Sequence, residues 1–336
     1  MAISNDILSS TLRIVKDQEV DNLFKSTPLL EQIRAKGGVE EVDGGSTVDR
    51  PLILAEHSTI TQLSTGYEPV SLAVADAMRN ASYNFCDFVG PIVITRKEEI
   101  SNKGDRAIVK IAEARLKSVM GMLKREFEKQ AIAGSSAILT DMTTLNGTVF
   151  GGAGSTTGFF ENQVFGSGTN TVGGISKAAF PTAYQNQRTD AGGTLGIEDL
   201  TDLYIQCQIF SPTSAPNLIL SSPNMYKAYK KLLFAQELYM KETVLDGGRL
   251  ALAFNGAMMY VDPFLPVTIS AVPATISAYF LNTDYLKLVV DKDANFELSD
   301  FEHVSGYASR SAQIITRAQL VVDHLACQGL LVNGEA

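Results

Sequence analysis

Residues 105–133, DRAIVKIAEARLKSVMGMLKREFEKQAIA, limit the possible folds of this chain more than any other segment, because they hold one proline-free helical pattern from end to end. Ile108, Ile111, Ala112, Leu116, Val119, Leu123, Phe127 and Ala131 recur at the spacing that lines one face of an α-helix. Asp105, after the Asn102-Lys103-Gly104 turn, is the expected N-cap, and Gly134 is the expected stop. The single internal glycine, Gly121, costs about 1 kcal/mol relative to alanine, too little to break the pattern. At about 1.5 Å per residue the rod is roughly 43 Å long, well beyond the usual globular helix. Such a helix must lay its one apolar stripe along something wide and keep its other faces wet.

The charge of this rod also sets it apart. From Lys103 to Lys129 there are eight basic residues (Lys103, Arg106, Lys110, Arg115, Lys117, Lys124, Arg125, Lys129) and four acids (Asp105, Glu113, Glu126, Glu128). The balance is 8 − 4 = +4, in a protein whose formal charge is −9. Two explanations fit: a solvated face with helix-spaced ion pairs such as Lys124 with Glu128, or a basic strip turned toward an anionic partner.

With 336 residues, 45 % of them apolar, the chain can build a sizeable core and two or three modules. No apolar run approaches the roughly 18 residues of a membrane span, and MAISNDILSS lacks the basic start and apolar middle of a secretion signal. The expectation is a cytosolic protein that does not associate with membranes. Cys86, Cys207 and Cys327 are odd in number and far apart, as buried thiols in a reducing compartment would be. His57, His303 and His324 are equally scattered, and no Cys/His pair has metal-ligand spacing.

Before the long helix lie a polar arm ending near Lys36, with a short helical pattern at Ile7, Leu8, Leu12 and Val15, and a strand-rich stretch from Gly37 to Arg96. There Thr47–Ala55 and Ala81–Thr95 bracket a polar excursion, which predicts a long two-stranded loop. An isolated hairpin is marginal in water, so one that reaches out needs another surface to lie on. Residues 134–196 hold thirteen of the 27 glycines and read as turns and short strands. A helix is expected over Ile197–Phe210, then a strand at Asn217–Leu220 and a helix with Ser222 as N-cap and Pro223 in its first turn. Strands follow at Met258–Val261, Ala278–Leu281, Leu286–Val290 and in a closing stretch from Gln313 to Val332. This order describes a mixed α+β chain, not a doubly wound sheet.

Sites for chemistry are mostly excluded by spacing. Gly152, Gly154 and Gly158 stand one residue too far apart for a dinucleotide loop, and Gly174 follows Gly168 and Gly173 where a phosphate-binding lysine should be. Asp291, Asp293, Asn295 and Glu302 match positions of a calcium loop, but Phe296 occupies the place that needs glycine. There is no G-x-S-x-G elbow, and the adjacent pairs Glu40–Glu41 and Glu98–Glu99 point different ways, as solvated carboxylates do. No catalytic residue, cofactor or metal is expected.

Taken in order, ASYNFCDFVGPIVITRKEEISNKG before the long helix, then TLNGTVFG, TVGGISKAAFPTAYQNQ, NLILSSPNMYKAYKKLL, FNGAMMYVDPFLP and YFLNTDYLKLVVDKDANF, with a final strand before LVNGEA, give the chain a likeness over nearly its whole length. It resembles the major capsid proteins of tailed double-stranded DNA bacteriophages, the Hong Kong 97-type fold. The resemblance implies an N-terminal arm at 1–36 and an extended loop at 37–92 that lies over an adjacent subunit. It implies a peripheral domain at 93–195 and 279–336 with the spine helix at about 105–133, and an axial domain at 196–278 that meets its copies in pentamers and hexamers.

It further implies a non-enzymatic structural protein that self-assembles into an icosahedral virion shell in the bacterial host cytoplasm, with a portal, a decoration protein and packaged double-stranded DNA as partners. An acidic shell limits nonspecific attraction to phosphates. Arg106, Lys110, Arg115, Lys117, Lys124 and Arg125 are the expected lumen-facing, DNA-lining residues. Some relatives join subunits through an isopeptide bond from an extended-loop lysine to an asparagine; here no lysine occurs between Lys36 and Lys97, so noncovalent stabilisation is expected. About 36 residues precede the loop, too few for a built-in scaffolding segment, so the expectation is a separate scaffolding protein or an already processed chain. The alternatives are an encapsulin-like compartment of the same fold and, from a different class, a soluble enzyme of unrecognised α+β fold.

Overall fold

The computed structural model describes residues 27–56, 60, 62, 64–67, 77–101, 111–132, 159–165, 171–211, 214–235, 243–244, 250–265, 268–269 and 272–334. The first elements are α1 (Pro28–Ala35), β1 (Val39–Val42), β2 (Thr47–Ile53), β3 (Met78–Asn84), β4 (Cys86–Thr95), the short helix α2 (Arg96–Ser101) and the long helix α3 (Ile111–Ile132). A π-helix (Phe159–Val164), β5 (Thr171–Val172), β6 (Ile175–Ser176) and β7 (Gln187–Asp190) lead to α4 (Ile197–Ile209), β8 (Leu218–Ser221) and α5 (Pro223–Ala235). Then come β9 (Thr243–Val244), β10 (Leu250–Phe254), β11 (Ala257–Val261), β12 (Thr268–Ile269), β13 (Val272–Leu281) and β14 (Leu286–Asp291). The chain closes through β15 (Glu297–Leu298), β16 (Glu302–His303), β17 (Ser309–Val322) and β18 (Gly329–Val332).

Two sheets organise the molecule. The eight-stranded sheet runs β7-β18-β13-β8-β11-β10-β9, with β12 on β13. Its central strands bury both faces, and alternate residues enter two different cores. Leu218, Leu220, Tyr279, Leu281, Leu330 and Val332 face the larger core, whereas Ile219, Phe280 and Leu331 face a core closed by α4 and α5. Both covering helices start from local chemistry: the Ser222 Oγ accepts from Met225 N at 3.1 Å, and Asp199 Oδ2 accepts from Gly196 N at 2.9 Å.

The six-stranded sheet runs β1-β14-β17-β15, with β16 and β4 also on β17. The expected strand over Ala81–Thr95 divides at Phe85: β3 pairs with β2 in the hairpin, and β4 pairs antiparallel with β17, from Cys86 opposite Ala318 to Thr95 opposite Ser309. The closing stretch divides as well, with β17 in the six-stranded sheet and β18 in the eight-stranded one. The last turn of the chain therefore ties the two sheets together.

The long helix α3 lies against β4. A Cβ on Gly90 would stand 2.5 Å from Val119 Cγ1 and 3.1 Å from Leu123 Cδ1, so only glycine allows this approach. Beside it, the rings of Phe88 and Phe127 pack with centroids 5.3 Å apart. Burial deepens along the apolar stripe: Leu116, Val119 and Leu123 are half-buried, while Phe127, Ala131 and Ile132 are buried. Asp105, Ile108 and Gly134 lie outside the described residues, as do Ile7, Leu8, Leu12 and Val15.

Candidate assembly surfaces

The hairpin β2–β3 keeps strict antiparallel register from Thr47 opposite Asn84 to Ile53 opposite Met78. At its base Val48, Ala81 and Tyr83 are buried, and the Tyr83 hydroxyl donates to Val322 O at 3.1 Å. The β5–β6 turn braces this base: Gly173 O accepts from Ser82 N at 2.9 Å, and a Cβ on Gly173, which has a positive φ of 53°, would stand 2.9 Å from Ala81 Cβ. Arg50 clamps the hairpin to the body, paired with Glu40 of β1 and with its Nε 3.6 Å from Asp323 Oδ1 at the end of β17. Burial raises the Asp323 carboxyl, and Arg50 acts against that rise. Toward the tip Leu54 is buried, but Ile53 is 74 % exposed, Ile60 85 % and Tyr67 96 %.

The expected basic strip on α3 is partly consumed by internal contacts. The Arg115 guanidinium donates to Val93 O and pairs with Glu98. Glu98 also accepts from Thr95 N at 3.0 Å and Thr95 Oγ1 at 2.8 Å; these Thr95 bonds, with Arg115 adding to them, hold its carboxyl down at about 2. Arg125 Nη2 lies 3.8 Å from Glu126 Oε1, and Lys124 Nζ sits 6.0 Å from the centre of the Phe296 ring. Lys117 is exposed, and Arg106 and Lys110 lie outside the described residues. The Lys124–Glu128 ion pair expected from the spacing does not form. Glu128 is fully buried, and its oxygens accept from Leu29 N at 3.1 Å and Leu30 N at 3.3 Å. It caps α1, whose Thr27 makes no side-chain cap, and burial followed by nearby Asp262 raises its carboxyl well above the usual range.

Near this junction a cavity of about 350 Å³ opens between α1, α3 and the six-stranded sheet, floored by Leu30, Phe127 and Leu288 and rimmed by Glu31, Arg34 and Lys124. Elsewhere, Lys177 is buried: its Nζ donates to Val164 O at 2.7 Å and to Asn186 Oδ1 at 3.3 Å, and burial brings it down to about 7. Burial pushes the Cys207 thiol up to about 12 and raises Cys327 as well, leaving both as inert core thiols. The Asp291 turn is a strand connection: its Oδ1 accepts from Asp293 N at 3.1 Å and its Oδ2 from Arg317 Nη1 at 3.4 Å. Among the described residues no group of three or more His, Cys, Asp or Glu is placed to hold a metal.

No family model matches this chain, and no curated protein matches it in sequence. Its fold, by contrast, is found in solved shells. The capsid subunit of cyanophage A-1(L) is similar with a TM-score of 0.64 at 14 % identity, over 96 % of each chain. The holo-SrpI encapsulin of Synechococcus elongatus is similar at 0.60 and 12 % identity, over 100 % of this chain and 97 % of that one. The capsid subunit of a native GTA particle is similar at 0.57 and 14 % identity, over 99 % and 100 %. The chain has the α+β Hong Kong 97-type fold shared by phage capsid and encapsulin subunits.

Proposed function

We propose that this chain is the major capsid protein of a tailed bacteriophage, assembling with its own copies into pentamers and hexamers of an icosahedral shell around double-stranded DNA. The carrying observation is a hairpin clamped by Arg50 whose tip exposes Ile53, Ile60 and Tyr67, within a fold matched over 96 % or more of the chain by shell subunits. In this reading 1–36 is the arm, 37–92 the loop laid on an adjacent subunit, 93–195 with 279–336 the peripheral domain, and 196–278 the axial domain. The protein works by geometry and many weak contacts, not by turnover.

A separate scaffolding protein, a portal and a decoration protein complete the particle in the host cytoplasm. Weak contact with packaged DNA falls to the wet side of α3, where Lys117 is exposed. Negative-stain microscopy of the purified protein tests the reading. Closed shells, or rings of five and six subunits, are expected; a protein that forms only monomers and dimers overturns it. With no lysine between Lys36 and Lys97, a denaturing gel of assembled particles should show a single band, and a ladder of multimers refutes noncovalent stabilisation.

The full-length match to the encapsulin favours one other reading, a protein compartment for enzyme cargo. Particles holding nuclease-protected double-stranded DNA support the capsid. Particles holding protein cargo and no nucleic acid support the compartment.

A further inference from the structure

Glu128, near the end of α3, and Asp262, in the turn after β11, are both almost without exposed surface. Each anchors a backbone: Glu128 takes the Leu29 and Leu30 amides of α1, and Asp262 Oδ1 accepts from Phe264 N at 2.7 Å. Asp262 Oδ2 is buried with no N–H or hydroxyl donor among the described residues, and its side chain lies against that of Glu128.

The groups acting on Glu128 are Asp262 and the two α1 amides, and those acting on Asp262 are the Phe264 amide and Glu128. Neighbouring charges are engaged elsewhere: Lys124 lies over Phe296, Arg125 is near Glu126, and Glu31 of α1 acts on Tyr260. Two carboxylates in such a place cannot both be ionised without a cation, and one neutral carboxyl donating to the other satisfies the orphan oxygen.

We infer that Glu128 and Asp262 share one proton, and that this proton fastens α1, the end of α3 and the turn after β11 into a single junction. Across the same junction Gln32 Nε2 donates to the Tyr260 hydroxyl at 3.2 Å. Loss of the proton places two like charges side by side and drives the elements apart. The junction is therefore a pH-sensitive latch, closed in acid. Both carboxyls are raised in the folded chain, chiefly by burial, so their contribution is fully present below the ordinary carboxylate range and is lost as pH rises through the raised values.

The test follows hydrogen exchange of the Leu29 and Leu30 amides in the full-length protein from about pH 5 to about pH 9, corrected for intrinsic rates, with infrared detection of the protonated carboxyl. Protection should fall with rising pH by up to about tenfold per unit over the range in which the closed junction holds the shared proton and opening releases it. The protonated-carboxyl band should persist above the ordinary carboxylate range, and the fall in protection should level off where the band vanishes. Glu128→Gln and Asp262→Asn, which keep shape and supply a fixed donor, should each flatten the dependence of protection on pH. Constant wild-type protection, absence of the infrared band above the ordinary carboxylate range, or an unchanged slope in a folded variant overturns the latch. The wild-type titration decides the matter even where a variant fails to fold.

Discussion

The eight-stranded sheet and the six-stranded sheet are built from similar strands but leave opposite surfaces. In the first, alternate residues of β8, β13 and β18 disappear into two cores, one of them closed by α4 and α5. In the second, Phe88, Gly90 and Ile92 of β4 are buried toward α3, while Val89 and Val93 on the other side remain 48 % and 45 % exposed. The central strands of the first sheet are covered within one chain. The second, with the hairpin rising beside it, presents apolar surface that a second copy can cover.

The largest expected effect breaks the first sheet. Phe280→Ala empties a fully buried site and should cost about 3–5 kcal/mol in a urea titration; a cost near zero would show that this sheet is not the more stable half. Replacing Lys177 with Met should act in the other direction. Its lowered value means that wild-type stability falls as pH drops from about 10 toward 7, and the variant should lose that slope, gaining on the order of 2 kcal/mol near neutrality. Retention of the slope would mean that Lys177 is solvated in solution.

Gly90→Ala probes the covered face of the second sheet. The new methyl meets Val119 at 2.5 Å and should cost about 1–3 kcal/mol by pushing α3 off β4. An unchanged urea midpoint would mean that the helix does not sit as closely as described. The smallest effect belongs to the open surfaces. Val93→Ser and Ile53→Ser should change subunit stability by no more than about 0.5 kcal/mol, yet reduce shell or ring yield in microscopy. Full yield from both variants would remove these surfaces from assembly.

Local periodicity made the long helix, the hairpin and the Ser222-Pro223 helix start readable, because each depends on neighbours within a few residues. The break at Phe85 was not readable, since the residues on both sides of it suit strands and only the choice of partner, β2 or β17, separates them. Glu128 shows the same limit more sharply. Four residues from Lys124, it has the spacing of a surface ion pair, but it caps a helix 99 residues earlier in the chain. Lys177 carried no local sign of burial, as lysine normally belongs to solvent. Of the six basic residues expected to line the lumen, Arg115 and Arg125 lie in internal pairs and Lys124 over a ring, contacts that net charge cannot reveal.

The clamp at Arg50 gives the hairpin a fulcrum. A load on its tip is resisted where Arg50 meets Glu40 and Asp323, and Asp323 directly follows β17. From there the force runs lengthwise into a strand paired with β4 over ten residues, so the ladder is sheared with its hydrogen bonds strained together instead of being unzipped one at a time. In the shell proposed above, a tug from a neighbouring copy would thus be carried as tension along the sheet.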